Sequence, residues 1–164
     1  MKSLLNSQFV PTPITMPTNH DIPQEALNDL FTYQETVDGG FRRQTKLNPK
    51  YYDAVVYVFD RKVGDHVERL MLLGPGSIRR HKHGKIDEEF KVLGAYKTPK
   101  GFMIGSGGPV ELKKGSEAVA RPGAVHGFEI HEGFFLVRIF VRNFDPADIY
   151  EPYDVISEAR SLVS

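Results

Sequence analysis

The sequence predicts an all-β fold: a sandwich or barrel of short antiparallel strands, with a short N-terminal helix and a C-terminal helix. Three observations carry this expectation. Between Phe41 and Asn143, runs rich in β-branched and aromatic residues follow one another: YYDAVVYVFDR, HVERLMLL, IRRHKH, EEFKVLGAY, GFMIGS, EAVARP, HGFEIH and FFLVRIFVRN. Gly, Pro or Lys-Lys-Gly punctuates them at close spacing, which suits a sandwich or barrel. The segments on either side carry the apolar spacing of helices instead. The 164 residues are the size of one domain. They divide into an arm and short helix over 1–40, a β body over 41–143 and a helical segment over 144–164.

Taken in order, the first element is an extended arm. Pro11, Pro13, Pro17 and Pro23 each remove a backbone donor and bias the preceding residue toward extended conformations. Asp21 then caps a helix of about two turns, with Pro23 in its first turn. Ala26, Leu27, Leu30 and Phe31 lie on one side of it, and it ends before Asp38-Gly39-Gly40. YYDAVVYVFDR and HVERLMLL form a hairpin across Val63-Gly64-Asp65. The glycines of IGSGGPVELKKG resemble a phosphate cradle only in composition, since no strand-to-helix context follows, and read as loop. At the C-terminus Val155, Ile156, Ala159, Leu162 and Val163 are spaced for one buried helical stripe.

Composition excludes several function classes. The 21 basic and 21 acidic side chains balance, so nothing favours a nucleic acid or an anionic membrane surface. Cysteine is absent, which removes disulfides, thiolate nucleophiles and Cys-based zinc sites and leaves His and carboxylate as metal ligands. The N-terminal apolar run is too short for a secretory signal and no segment is long enough to span a bilayer, so a cytoplasmic protein is expected.

The residues that suggest chemistry lie in RRHKHGKIDEEF. In a strand, side chains at i and i+2 share a face, so His81 and His83 present their imidazoles side by side. Gly84-Lys85-Ile86 turns the chain, after which Glu88, Phe90 and Val92 share one face and Glu89, Lys91 and Leu93 the other. A third imidazole, His126, follows the Pro122-Gly123 turn. A solvated charged stretch also accounts for an HxH pair on its own, but gives no reason for the acid or the distant His. Three neutral imidazoles and one carboxylate suit a first-row divalent ion with positions left open.

These residues resemble the two motifs of the cupin superfamily, G-x5-H-x-H-x(3,4)-E-x6-G and G-x5-P-x-G-x2-H-x3-N. His81, His83 and Glu88 fit the first, followed by VLGAY with Ala95 in place of the closing glycine. Upstream, Gly74 and Gly76 bracket the expected glycine, where Pro75 stands. Gly115, Gly123 and His126 fit the second, with Arg121 at the proline position, Pro122 one place later and Ile130 at the asparagine position. The motifs span Gly74 to Ile130.

The resemblance implies a double-stranded β-helix, a jelly-roll barrel holding one divalent metal per chain near one mouth. Among the acids, Asp87 satisfies the shorter family spacing, but strand parity selects Glu88 over Asp87 and Glu89. The resemblance also implies a small-molecule substrate and a homodimer, with the Pro-rich arm crossing onto a neighbouring barrel. The expected activity is that of a non-haem iron dioxygenase using Fe(II). A Lewis-acid isomerase or hydrolase using Zn, Mn or Ni and a non-catalytic ligand-binding cupin are the alternatives.

Two further residues are expected at the substrate: Phe90, on the face of Glu88, and Arg138. In FFLVRIFVRN, alternation puts Phe134, Leu136, Arg138, Phe140 and Arg142 on one face and Phe135, Val137, Ile139 and Val141 on the other. If the apolar face packs on helices, Arg138 faces the interior as a counter-charge for an anionic substrate. With the faces reversed, Arg138 and Arg142 reach solvent or Asp145, Asp148 and Glu151. Arg79 shares the parity of His81, which admits either an inward rim position or a solvated one. His20, His66 and His131 read as exposed polar residues.

Overall fold

A computed structural model of the chain describes residues 21–36, 40–44, 47, 50–105 and 107–151. The arm over 1–20 and the stripe beyond residue 151 lie outside the described residues. Among the described residues one helix, α1 (Gln24–Thr36), precedes eight strands: β1 (Arg42–Arg43), β2 (Val55–Val63), β3 (His66–Leu73), β4 (Gly76–His81), β5 (Asp87–Gly105), β6 (Gly108–Glu111), β7 (Glu117–Ala120) and β8 (His126–Arg142). All pairings are antiparallel, in the order β1-β2-β3-β8-β5-β6, with β4 also on β8 and β7 also on β5.

The β5–β8 ribbon organises the molecule. EEFKVLGAY and GFMIGS read as separate strands, as do HGFEIH and FFLVRIFVRN, yet each pair is one continuous strand that bends. The register breaks between Tyr96 and Gly101, where Lys97 and Thr98 take positive φ. The bend brings the two ends of the ribbon together. His126 pairs with Gly105 and Glu88 with Val141, far apart along the ribbon, yet Glu88 Oε1 lies 3.0 Å from His126 Nε2. The sheet does not close: β6 and β7 each pair with β5 and not with each other.

Inside the fold, Val58, Met71, Leu73, Ile86, Phe90, Val92, Phe128, Phe135, Val137, Ile139 and Val141 form the principal core. A second cluster joins Ala26, Leu30 and Phe31 of α1 to Tyr57, Leu70, Leu72, Phe134 and Leu136 on the outer side of the same strands. Strand alternation thus serves two cores, interior and helix-facing, which is why β2, β3 and β8 are apolar on both faces.

Three elements differ from the sequence expectation. The helix runs 13 residues rather than two turns. IGSGGPVELKKG contains β6, which returns on β5 with Gly105 opposite Gly108; its Gly and Pro content disguised a tight hairpin whose Gly108 takes φ +99°. The residues 144–151 assigned to the C-terminal helix form a strap instead: Asp148 N–H bonds Asp145 O at 3.0 Å, and Lys82 and Tyr150 exchange backbone hydrogen bonds of 3.0 and 2.9 Å.

Candidate metal centre

His81 ends β4, His83 follows it, Glu88 opens β5 and His126 opens β8; all four side chains are buried and their ligand-capable atoms lie within 4.8 Å of one another. Glu88 is the inward acid, as strand parity selects: Asp87 pairs with Arg121 and Glu89 is exposed. Phe90 and Val92 continue the inward face. Arg79 does not, because β4 is irregular between Ile78 and His81; both of these are buried while Arg79 and Arg80 are exposed. Gly127 permits this irregularity. A Cβ there would meet Ile78 O at 2.6 Å and Arg80 N at 3.0 Å.

Each imidazole is oriented through Nδ1 by a backbone carbonyl: His81 by Arg79 O at 2.6 Å, His83 by Asp148 O at 2.5 Å and His126 by Ala124 O at 3.0 Å. A carbonyl only accepts, so Nδ1 must carry the proton, leaving Nε2 as the lone-pair atom of the neutral ring. The Nε2 atoms of His83 and His126 stand 2.9 and 3.0 Å from Glu88 Oε1, yet that buried oxygen has no hydrogen bond. Lone pairs facing a carboxylate at such distances are satisfied by a cation among them, a metal ion or a proton. This donor set, with its orphaned oxygen and fixed tautomers, fits a first-row divalent metal.

Burial and neighbouring charges act differently on the groups of the cluster. Burial, with His126 adding to it, pushes the His81 imidazole down to about 4, so it is neutral at physiological pH. Burial also disfavours protonation of His83, but the Glu88 carboxylate beside it outweighs this and raises it. Against its own burial, the His126 and His83 rings hold the Glu88 carboxyl well below the usual range.

No protein-family model and no curated protein matches the sequence. Solved structures do match in fold. The DMSP lyase DddQ from Ruegeria pomeroyi superposes with TM-score 0.54 at 15% identity, covering 83% of this chain and 73% of that one. KdgF from Halomonas sp. gives 0.51 at 15% identity over 66% and 97%. CapF, a capsular polysaccharide assembling protein from Staphylococcus aureus, gives 0.51 at 18% identity over 67% and 33%. The chain has a cupin fold.

Beside the cluster, the fold opens a cavity of about 290 Å³ lined by Tyr52, Arg69, His83, Ile86, Glu88, Val141, Phe144 and Asp148, among others. Tyr52, Arg69 and Glu88 also line a smaller recess with His81, Phe90 and His126. Phe90 is therefore at the site, its ring 5.9 Å from that of His126. Arg138 is not, and the expected face assignment is corrected. The apolar face of β8 is the interior one, because Phe134 and Leu136, on the face of Arg138, pack with α1. Arg138 sits outside, with Nη1 3.5 Å from Tyr33 Oη and its guanidinium 4.9 Å from the Phe140 ring centre.

Sequence reasoning missed three residues here. Asp148 accepts N–H bonds from Gly84, Lys85 and Ile86 at 2.7, 2.8 and 3.1 Å, which hold its carboxyl low against burial. Its main-chain oxygen meanwhile orients His83. Arg69 faces inward with Val67 and Met71, bound to Asp60 through Nε and Nη2, both at 2.8 Å. Tyr52 lies beside His81, with ring centres 6.1 Å apart; burial pushes its hydroxyl up to about 12, Arg69 opposing and Glu88 and Asp60 adding. The signals were slight: Arg69 breaks the apolar inward face of HVERLMLL, and an aromatic pair precedes Asp53.

Proposed function

We propose that this protein is a metal-dependent enzyme acting on a small organic substrate, with His81, His83, Glu88 and His126 as the ligands of one divalent ion. The observation that carries the reading is the buried Glu88 Oε1, which has no hydrogen bond although two Nε2 atoms point at it. As dioxygenase chemistry, the first reading, Fe(II) would supply a redox centre at which a chelating substrate and O2 meet, whereas Zn, Mn or Ni would supply Lewis acidity.

The chain's own contribution is positional. Nδ1 anchoring fixes the three rings before the substrate arrives, and the cavity beside them suits a small molecule rather than a polymer. Phe90, Ile86 and Val141 provide apolar walls that limit water at the reacting atoms. The Lewis-acid reading finds one specific feature in the same cavity, the Tyr52 hydroxyl, which burial keeps protonated and which can donate a hydrogen bond to an oxygen on which charge develops. Solved structures of this fold with TM-scores above 0.5 include a DMSP lyase, so another protein of this fold is an enzyme.

Turnover of phenolic, keto-acid and sugar compounds, followed with and without O2, separates the two. The dioxygenase reading expects Fe(II)-dependent oxygen uptake stoichiometric with product. Turnover that persists anaerobically with Zn, Mn or Ni replaces it with the Lewis-acid reading. A protein that takes up no metal rejects both.

A further inference from the structure

We infer that Arg69 and Tyr52 form an anion-recognising wall in this cavity and hold the carboxylate of a small organic acid whose other donor faces the four-residue cluster. The inference rests on the metal-enzyme reading above and adds a substrate class to it.

An ion pair stands where apolar side chains would stabilise the fold as well. Asp60 and Arg69 face each other across β2 and β3, and their side chains are only 10% and 11% exposed. Such a pair is weak evidence for stability, because desolvation offsets most of the attraction. Its geometry suggests another use. Asp60 engages only Nε and Nη2, and the Phe144 ring lies against the guanidinium, 5.3 Å from its centre. The planar group is thereby fixed, and Nη1 makes no hydrogen bond among the described residues. The same holds for the Tyr52 hydroxyl, and both residues line the cavity and the recess with Glu88.

One N–H edge and one O–H make two donors, which match the two oxygens of a carboxylate; a phosphoryl group would leave further oxygens unbound. The cavity's acids are committed elsewhere or lie at its rim. Glu88 faces the imidazoles, Asp148 is bound by three amides, and Asp145 is exposed and bonded to the Ala147 amide. Among the described residues that line the cavity, Arg69 is the only basic side chain besides His83. The cavity of about 290 Å³ admits a small organic acid with room to spare, and 2-oxo and 2-hydroxy acids, whose second oxygen can face the cluster, are the simplest members of the class.

The test uses the full chain loaded with Co(II), whose visible spectrum reports ligands arriving at the metal. Pyruvate, glycolate and oxalate are titrated against pyruvamide, ethylene glycol and inorganic phosphate. Carboxylates should shift the spectrum saturably and bind at least tenfold more tightly than the neutral compounds and phosphate. Tyr52→Phe should weaken carboxylate binding several-fold. Arg69→Met combined with Asp60→Asn, which leaves no lone buried charge, should weaken it tenfold or more and abolish the preference over pyruvamide. Both variants should keep the ligand-free Co(II) spectrum. Equal binding of carboxylate and amide by the wild type, a preference for phosphate, or wild-type affinity in Tyr52→Phe would overturn the inference while the metal reading stands. If the double variant fails to fold, the wild-type comparison and Tyr52→Phe decide. Failure to load Co(II) would overturn the metal reading and the inference with it.

Discussion

Removing the Asp148 carboxylate would leave three amides at the His83–Glu88 turn without their acceptor and free the carbonyl that orients His83. Groups of this kind typically contribute 10–100-fold to metal affinity. Asp148→Ala is therefore expected to weaken Zn(II) binding by about that factor, and to destabilise the fold by about 1–3 kcal/mol through the loss of three hydrogen bonds, one of them to the buried Ile86 amide. Competition titration against a chromophoric chelator measures the first effect, and wild-type affinity would refute it. His126→Ala should act more severely, lowering metal occupancy sharply, because it removes a ligand and the cross-sheet neighbour of Glu88. At this scale the four cluster residues were legible because motif spacing and strand parity are local properties of the string. Asp148 and Arg69 were not: each acts through a partner supplied by tertiary packing, and neither has a sequence context that marks it.

Two glycines show how elements are held in register. Gly127 lets β4 and β8 approach where His81 and His126 emerge, and the obstruction a Cβ would meet is backbone that cannot swing aside. Gly127→Ala is expected to destabilise the protein by about 1–3 kcal/mol and to weaken metal binding in the same experiment; unchanged values of both would contradict the account. Gly94 clears space for the Tyr96 hydroxyl, which would lie 2.0 Å from a Cβ at residue 94. That hydroxyl donates to Asp29 at 2.6 Å, tying β5 to α1. Burial, with Asp29 and Glu25 adding to it, raises the Tyr96 phenol above its ordinary 10. A raised folded pKa gives stability that is fully present below the unfolded value and lost as pH rises through the folded one. The stability advantage of wild type over Tyr96→Phe, about 1–3 kcal/mol near neutrality, should therefore shrink above pH 10. Urea unfolding at pH 7 and pH 11 tests this, and a constant difference would refute it. The hairpin, the helix position and most strands were legible from alternation and turn residues. The continuity of β5 and β8 was not, because Lys97-Thr98-Pro99 and His131-Glu132-Gly133 read as loops while serving as bends within strands.

For the molecule as a whole, the site is assembled by the ribbon bend, since Glu88 and His126 meet only after β5 and β8 fold over. Metal binding should therefore couple to global stability. At a free metal concentration of 100 times Kd, linkage predicts about 2.7 kcal/mol of added stability, and a thermal midpoint raised by roughly 5–10 °C for a domain of this size. The sequence named the four residues of this candidate centre but left the inward face of β8 open between two assignments, because both faces are apolar enough to be a core and only α1 decides between them. The central claim is that His81, His83, Glu88 and His126 hold one metal ion. It is tested most directly by an anomalous-scattering map from crystals of protein purified without chelator and soaked with Zn(II). The account predicts one peak per chain, about 2.0–2.2 Å from the three Nε2 atoms and a Glu88 carboxylate oxygen. An absent peak, or full occupancy at other residues, would contradict it.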